Sequence, residues 1–324
     1  MAKWIVTGGA GFIGSDLIWK LNQEGIDDIW VVDRLDRSEK WKNLRHRRYA
    51  DYLDADDFLK AIEKNKVGPV EGIAHLGAIS STTETDSALL VRNNYEYTKT
   101  LALWSVAKKK RFVYASSAAT YGDGTFGYTT DDAVTRKLQP LNMYGYSKQL
   151  FDLWALRNGL LKQIVGVKFF NVYGPNEYHK YDMRSVVVKA FEQIKSSGKV
   201  QLFKSYREGI GHGEQERDFL YVKDAVQTVY EFMTRKTYKG LYNLGAGKAR
   251  SWNDLVKAVF KAMGKPVKIE YIEMPESLRT KYQYHTQADM RWRQGAKGLK
   301  PFHSLEEGVH DYVVNHLSQE DPYL

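Results

Sequence analysis

Residues 4–14 read WIVTGGAGFIG, in which a short apolar run passes into closely spaced glycines. The run has the length and β-branched content of a buried strand, and apolar residues at helical spacing begin directly after the glycines. Gly8, Gly11 and Gly14 therefore lie in a turn that leaves a strand and opens a helix. Such glycines let the backbone approach a diphosphate closely, and the helix N-terminus offers it backbone amides. The stretch predicts a dinucleotide-binding turn.

Four further apolar runs of strand length follow in the first half of the chain, separated by segments long enough for helices. They are Ile29–Asp33, Gly72–Leu76, Phe112–Ala115 and Ile164–Lys168. This alternation is typical of parallel strands that are buried on both faces and joined by helical crossovers. We predict an α/β fold with a doubly wound parallel sheet of the Rossmann type and a smaller α/β substrate domain.

The domain boundary is expected near Phe170, where regular alternation gives way to a more irregular texture with a polar, glycine-bearing stretch at 206–215. We expect the dinucleotide-binding domain to span residues 1–170, with returns at about 217–241 and 283–304. The substrate domain would then consist of residues 171–216, 242–282 and 305–324.

Asp33 strengthens the dinucleotide prediction, because it stands about twenty residues after the glycine turn at the end of the second strand. A carboxylate there can accept hydrogen bonds from ribose hydroxyls. Arg34 follows directly and Lys40 is close behind, so both cations are available to an adenosine 2′-phosphate. We therefore expect NADP, with NAD as the alternative because Asp33 also suits an unphosphorylated ribose.

Tyr144 and Lys148 are four residues apart and hence share one face of a helix. An ammonium group one turn from a phenol stabilises the phenolate and makes the tyrosine a usable acid/base. Ser117 ends the strand that begins at Phe112, which places a hydroxyl at the sheet edge where ligands of such folds bind. The three residues together predict a catalytic site.

Composition excludes several classes of function. The 324 residues contain no cysteine, which removes disulfides, thiolate metal sites and cysteine nucleophiles and fits a reducing cytoplasm, where we expect the protein. The histidines are scattered, so we predict no metal site. The net charge is +9, but the basic clusters 45–48 and 108–111 are not interleaved with aromatic residues, and we expect no nucleic-acid partner. Because no apolar run reaches 18 residues, we expect no membrane association.

Six segments carry a resemblance to a known family. They are Ala78–Glu84, Tyr114–Gly122, Asn142–Lys148, Phe170–Lys180, Arg217–Phe219 and Tyr282–Asp289. With them the chain resembles the extended short-chain dehydrogenases, the group that holds nucleotide-sugar epimerases and dehydratases. Within that group it looks like the ADP-L-glycero-D-manno-heptose 6-epimerases over nearly its whole length.

The resemblance implies an isomerase that epimerises C6″ of an ADP-linked heptose. The sugar would be oxidised transiently to a 6″-ketone with bound NADP and reduced again from the opposite face, supplying heptose for the lipopolysaccharide core. It also implies a homo-oligomer, since pentamers are known in the family. The rival interpretations are a UDP-hexose 4-epimerase, a dehydratase, or a non-catalytic relative that binds a ligand or RNA. The stretch 117–120 lacks the Asp-Glu pair expected beside the serine of a dehydratase, and a non-catalytic relative would be expected to lose Tyr144 or Lys148.

The resemblance also implies roles for individual residues. Tyr144 and Lys180 would be the two acid/bases, Lys148 would assist Tyr144, and Ser117 would hold the reacting oxygen. The cofactor would contact Gly8, Gly11, Phe12, Ile13, Gly14, Asp33, Arg34, Lys40, Leu76, Gly77, Ala78, Ile79, Ser80, Asn93, Lys148 and Val172. The ADP-sugar would contact Ser117, Asn171, Asp182, Lys189, Phe203, Arg217 and Tyr282.

The chain departs from the family pattern at four places. Asp182 stands where a small hydroxyl residue is expected, and Lys189 where a histidine is expected. Ala55 replaces a lysine that would assist the cofactor phosphate, and the stretch 206–216 is longer than usual. These departures concern the sugar and the phosphate, and they leave the reaction type unchanged.

Overall fold

The computed structural model describes residues 3–279, 282–296 and 298–324. They form two compact units. The first unit contains the described residues up to Phe169, together with Ala225–Asn243 and Leu324. The second contains those of Phe170–Asp224 and Leu244–Tyr323.

Twelve strands are formed within the described residues. In chain order they are β1 (Trp4–Thr7), β2 (Ile29–Asp33), β3 (Asp51–Asp54), β4 (Gly72–His75), β5 (Arg111–Ser117), β6 (Val165–Phe169), β7 (Asn171–Tyr173), β8 (Val200–Phe203), β9 (Glu216–Tyr221), β10 (Gly240–Leu244), β11 (Ala249–Ser251) and β12 (Ile269–Ile272).

The helices alternate with these strands. In chain order they are α1 (Phe12–Gln23), α2 (Ala55–Glu63), α3 (Ser87–Leu90), α4 (Tyr97–Ala107), α5 (Asp132–Thr135), α6 (Met143–Arg157), α7 (Val186–Ser197), α8 (Val222–Thr234), α9 (Trp252–Ala262), α10 (Glu276–Arg279), α11 (Arg291–Gln294) and α12 (Leu305–Tyr312). Short 3-10 helices lie at Glu39–Leu44, Ala118–Tyr121, Leu160–Lys162 and Tyr178–Met183, and π-helical turns at Val91–Glu96 and Val313–Leu317.

The first unit is built on a seven-stranded sheet in the order β10-β6-β5-β4-β1-β2-β3. Strand β1 pairs in parallel with both β2 and β4, so Thr7 lies opposite Val32 on one side and His75 on the other. The chain therefore reverses its direction of winding between β1 and β4, and ligands of such sheets bind at that point. The predicted doubly wound Rossmann-type sheet is confirmed.

The core of this unit lies between the sheet and three helices. Ile5, Val32, Ile73 and Phe112 project from successive strands onto one face and are fully buried. Against them pack Phe58 of α2, Leu101 of α4, and Phe151 and Ala155 of α6. Burying a side chain of this size stabilises the fold by about 1.5–3 kcal/mol, so these contacts hold α6 in place against the sheet.

The second unit contains two small sheets. Strand β9 pairs in parallel with β7 and antiparallel with β11, and β8 pairs in parallel with β12. Helix α9 begins at Trp252, and the Ser251 hydroxyl caps it by accepting a hydrogen bond from the Asp254 amide. The strand β9 brings Arg217 and Asp218 into this unit.

The expected returns to the first domain are corrected by these pairings. The return begins at Ala225 and not near 217, because β9 is held by β7 and β11. The stretch 283–304, expected in the first domain, belongs to the second unit as far as it is described. There the Ala288 amide donates to Asp218 (2.9 Å) and the His303 amide donates to Asp224 (2.9 Å). Across the described ranges, we find no helix with the length and apolar character needed to span a bilayer.

Candidate active site

The glycine turn is shaped by close backbone contacts. Gly8 has a φ of +67°, and a Cβ added to it would lie 2.5 Å from the amide nitrogen of Gly77. A Cβ on Gly14 would lie 2.0 Å from the carbonyl oxygen of Gly8. Only glycine fits at these two positions. Gly11 is the N-cap of α1 and has no side chain to cap the first turn, in which Phe12 is buried and Ile13 half-buried.

Asp33 ends β2 and anchors the glycine turn. Its Oδ2 accepts a hydrogen bond from the Ala10 amide (2.9 Å), and its Oδ1 accepts from the Arg34 amide and the Lys40 ammonium group (2.8 Å each). A carboxylate offers about four lone-pair directions, so Oδ2 retains one acceptor position for a ribose hydroxyl. The turn, the helix N-terminus and this carboxylate fit a dinucleotide.

The segment after β4 forms the opposite wall of the turn. Its members Leu76, Gly77, Ala78, Ile79 and Ser80 are all at least partly exposed. Asn94, in a π-helical turn, clamps the backbone of Ile79 by donating to its carbonyl and accepting from its amide (2.9 Å each). The Asn94 side-chain nitrogen also donates to the Ser147 hydroxyl of α6 (3.0 Å). Asn94 could not be selected from the sequence, because no pattern in it distinguishes Asn94 from the neighbouring Asn93.

Each of the two cations predicted to bind a 2′-phosphate has a carboxylate partner. Lys40 pairs with Asp33 at 2.8 Å. Arg34 donates to Asp56 at 2.5 Å and to the side-chain oxygen of Asn93 at 2.9 Å. The structure thus places Asn93 and Asp56 beside Arg34, and no pattern in the sequence selects Asp56.

Ser117, Tyr144 and Lys148 lie together where β5 ends and α6 begins. Asn142 caps α6 by accepting a hydrogen bond from the Gly145 amide (2.8 Å), which places Tyr144 in the first turn. The Ser117 hydroxyl accepts a hydrogen bond from the Ala119 amide (3.1 Å) and is near enough to the Tyr144 phenol to lower its pKa. The Lys148 ammonium group, one turn further on, donates to the Ala115 carbonyl (2.8 Å).

The electrostatics of this site are dominated by burial. Burial raises the pKa of Tyr144. The Ser117 side chain acts in the opposite direction and only partly offsets this rise. Burial also lowers the pKa of Lys148 to about 8, although the Asp152 carboxylate opposes this shift. The expected lowering of the tyrosine pKa by the neighbouring ammonium group is therefore corrected, and the phenol is protonated at neutral pH.

A buried charged pair supports the site from behind. Asp152 lies one turn after Lys148 on α6 and accepts hydrogen bonds from Lys168 of β6 (2.8 Å) and from the hydroxyls of Tyr114 (2.8 Å) and Ser116 (2.7 Å). Both Asp152 and Lys168 are completely buried. Breaking such a pair by removing one partner leaves an uncompensated charge, so the pair fixes β5, β6 and α6 relative to one another.

In the second unit, Arg217 is framed by aromatic rings. Its guanidinium carbon lies 5.1 Å from the ring centre of Tyr282 and 5.7 Å from that of Trp252. The two rings are joined by a hydrogen bond from the Trp252 indole to the Tyr282 hydroxyl (2.9 Å). A guanidinium is planar by its own delocalisation, and the two rings hold its donor fork in one orientation, as paired hydrogen bonding to a phosphate requires. Trp252 was missed, because an aromatic residue opening a helix is ordinarily part of a core.

Lys180 lies in the 3-10 helix Tyr178–Met183, whose neighbour Tyr181 has a φ of +47°. The Lys180 amide donates to the Glu177 carbonyl (3.0 Å). The buried Glu177 carboxylate holds the segment by accepting from the Ser185 amide (2.5 Å) and hydroxyl (2.7 Å) and from Tyr312 (3.2 Å). Burial lowers the pKa of Lys180, whereas the charge of Glu177 opposes that shift.

The remaining predicted substrate residues also lie in the second unit, as does Val172, which was predicted to contact the cofactor. Asn171 and Val172 belong to β7 and pair with Phe219 and Leu220 of β9, and Phe203 ends β8 opposite Ile272. The Lys189 ammonium group of α7 donates to the Asp182 carbonyl (2.7 Å), and Asp182 itself is exposed. The two departures from the family pattern, at 182 and 189, are therefore in contact with each other.

Comparison with known proteins agrees with this geometry. Residues 4–245 match the model of the NAD dependent epimerase/dehydratase family. The chain is 52% identical to an ADP-L-glycero-D-manno-heptose-6-epimerase of Nitratidesulfovibrio vulgaris, with 99% of this chain and 100% of the relative covered. It is 48% identical to a protein of the same name from Fusobacterium nucleatum, with 99% of each covered. The crystal structure of the Helicobacter pylori ADP-L-glycero-D-manno-heptose-6-epimerase is similar at a TM-score of 0.79 and 30% identity, with 96% and 95% covered.

Proposed function

Because the chain belongs to the NAD dependent epimerase/dehydratase family, we propose that it epimerises C6″ of an ADP-linked glycero-manno-heptose. The observation that carries this proposal is the 52% identity, over the full length of the relative, to an epimerase of that name. The Ser117, Tyr144 and Lys148 cluster beside a dinucleotide turn supplies the chemistry that such a reaction needs. The product would serve as a heptose donor for the lipopolysaccharide core.

The reaction balances within one turnover. When bound, a nicotinamide cofactor accepts the hydride from C6″ and later returns it. Formation of the ketone also releases the hydroxyl proton, which a base of the protein accepts. Reduction from the opposite face requires an acid of the protein to deliver a proton to the same oxygen. No net oxidation results, so the protein needs one acceptor and one donor of protons and no external redox partner.

Tyr144 and Lys180 are the proposed acid/bases. Burial lowers the pKa of Lys180, which is the direction that a lysine acting as a base requires, and burial raises the pKa of Tyr144, which keeps its phenol protonated and able to donate. Lys148 stabilises the phenolate that is left, and Ser117 holds the reacting oxygen by hydrogen bonding. After turnover the two groups return to their starting protonation states by exchange with water.

The nucleotide part of the substrate is assigned to the second unit. Arg217 would bind the diphosphate through its planar fork, with Tyr282 and Trp252 keeping the fork in place. Asn171, Phe203, Asp182 and Lys189 would contact the rest of the ADP-sugar. We propose NADP as the cofactor, bound by Arg34 and Lys40 at its 2′-phosphate. A cytoplasmic location and a homo-oligomeric assembly, both expected from the sequence, are part of the same proposal.

The test is incubation of the protein with a panel of nucleotide sugars, with NMR detection of the product. We expect inversion at C6″ of ADP-glycero-manno-heptose and no inversion at C4″ of UDP-glucose. Inversion of the UDP-hexose alone would assign the chain to a different epimerase of the family, and loss of water from the sugar would make it a dehydratase.

A further inference from the structure

Arg34 is engaged by the protein at the position where the proposed function needs it for the cofactor. Its two terminal nitrogens donate to Asn93 (2.9 Å) and to Asp56 (2.5 Å). The Arg34 side chain is 37% exposed and that of Asp56 is 62% exposed. The pair is therefore accessible to solvent, and an anion arriving from solution can exchange with Asp56.

Asp56 is held in this place by the start of α2. The Asp54 carboxylate caps the helix and accepts a hydrogen bond from the Asp56 amide (2.8 Å). An acidic residue in the first turn of a helix is favoured by the helix dipole. Asp56 thus stands opposite the guanidinium for a local structural reason, and not because a cofactor requires it.

The charge balance around Arg34 is unfavourable for a further anion. Arg34 and Lys40 supply two positive charges, whereas Asp33, Asp54 and Asp56 supply three negative ones. The next acidic residue, Asp57, is directed to Lys60 (2.8 Å) and does not contact Arg34. A 2′-phosphate binding at Arg34 would have to replace Asp56 and remain close to it.

We propose that Asp56 is the residue that sets the cofactor preference of this chain, by competing with the 2′-phosphate of NADP for Arg34. This inference rests on the cofactor site of the proposed function. With NADP, the phosphate displaces Asp56 from the guanidinium. With NAD, the Arg34–Asp56 pair stays intact and Asp33 receives the ribose hydroxyl. The protein therefore accepts both cofactors, and NADP binds more tightly by no more than about tenfold.

Removing the competing charge should strengthen NADP binding alone. In Asp56→Asn the guanidinium is released and one negative charge near the phosphate is lost. We expect the Kd of NADP to fall by about fivefold to tenfold and the Kd of NAD to change by less than about twofold. The matched control is Asp57→Asn, which removes a carboxylate of the same helix turn that does not contact Arg34. It should leave both dissociation constants within about twofold of the original.

A double-mutant cycle separates competition from general repulsion. NADP and NAD are titrated into the full chain without sugar, by calorimetry, for the original protein, Asp56→Asn, Arg34→Ala and the double variant. If Asp56 acts through Arg34, the gain in NADP affinity disappears in the Arg34→Ala background. An unchanged ratio of the two dissociation constants in Asp56→Asn overturns the proposal, and so does a full gain that persists without Arg34. Because no sugar is present, these outcomes do not depend on whether the chain epimerises ADP-heptose; that failure would appear only in the nucleotide-sugar panel.

Discussion

The two proposed acid/bases lie in different units and in very different local structures. Tyr144 is in the first turn of the 15-residue helix α6, which begins at a capping asparagine and packs on a buried sheet. Lys180 is in a six-residue 3-10 helix whose residues are half-buried or exposed and which includes Tyr181 at positive φ. A residue held at such a φ costs on the order of 1–3 kcal/mol and persists only when its surroundings impose it. Regular packing thus fixes Tyr144, whereas the segment that carries Lys180 is held by hydrogen bonds, among them those of the buried Glu177 carboxylate.

This difference predicts how far each of the two residues keeps its position when residues around it are substituted. A change near Tyr144 must overcome the helix cap, the buried sheet and the Asp152–Lys168 pair (2.8 Å) before the phenol moves. A change near Lys180 that disturbs the hydrogen bonds of Glu177 to Ser185 and Tyr312 acts on a short helix with no buried residue. We therefore expect the tyrosine half of the reaction to tolerate surface variation and the lysine half to be sensitive to it.

The largest effect is expected from Tyr144→Phe. Loss of the hydroxyl removes the proton donor, and turnover should fall by about 10²- to 10⁴-fold while the ADP-sugar still binds. Steady-state kinetics together with a direct binding measurement check this. Tyr146→Phe is the matched control, because Tyr146 lies in the same helix turn and is 48% exposed. Near-normal turnover of Tyr144→Phe would remove the tyrosine from the mechanism.

Lys180→Met should lower turnover by about 10²-fold or more with substrate binding retained, because the second base is lost. The exposed Lys195 of α7 provides the control Lys195→Met. A probe aldehyde tests the two acid/bases separately. Tyr144→Phe and Lys180→Met should each oxidise or reduce the aldehyde of one stereochemistry only. A Lys180→Met protein with normal turnover would break the comparison and leave Tyr144 as the sole acid/base.

Arg217→Ala should raise the KM for the ADP-sugar by about tenfold or more, because a charge-assisted contact to the diphosphate is lost. Cofactor affinity should stay unchanged, since the dinucleotide turn belongs to the other unit. Kinetics at varied ADP-sugar concentration and a separate cofactor titration measure both. An unchanged KM would place Arg217 outside the substrate site.

The smallest effect is the halving of turnover that we expect near pH 8. Burial lowers the pKa of Lys148 to about 8, so the ammonium group that stabilises the phenolate is lost as the pH rises through that value. We expect turnover to fall to about half near pH 8 and by roughly tenfold for each further unit. The contribution of Lys148 to the free energy of unfolding changes in the opposite direction. It increases as the pH rises from about 8 to 10.5, because in this range the unfolded chain binds a proton that the folded chain does not. A pH–rate profile, with thermal unfolding measured at each pH, distinguishes the loss of turnover from the change in stability. A turnover that stays constant up to pH 10 would contradict the role of Lys148.

The sequence predicts those parts of the molecule that follow from local patterns. The glycine turn, Asp33 at the end of β2, and Tyr144 and Lys148 one helix turn apart all follow from spacing, and the structure places them as expected. Contacts between distant segments could not be predicted in this way. The Arg34–Asp56 pair, the clamp of Asn94 on Ile79 and the Trp252–Tyr282 frame join residues 15 to 30 positions apart with no periodic signal.

The assignment of 283–304 to a domain also depends on contacts between distant segments and could not be predicted from local patterns. Asp218 draws 283–304 into the second unit by accepting backbone hydrogen bonds from Ala246, Gly247 and Ala288. Its burial raises its pKa to about 6 in spite of these donors. Together with Asp224, which accepts from the His303 amide, this buried carboxylate ties the segment to the second unit through contacts that its own sequence does not signal.

The central claim is a hydride transfer to a bound cofactor and back to the same carbon, and isotope retention tests it most directly. ADP-glycero-manno-heptose labelled with deuterium at C6″ is incubated with the protein in ordinary water, and the product is examined by NMR and mass spectrometry. The account predicts an epimerised product that retains the deuterium at C6″, because the hydride never exchanges with solvent. Loss of the label to water would contradict it and would assign the inversion to proton abstraction at carbon.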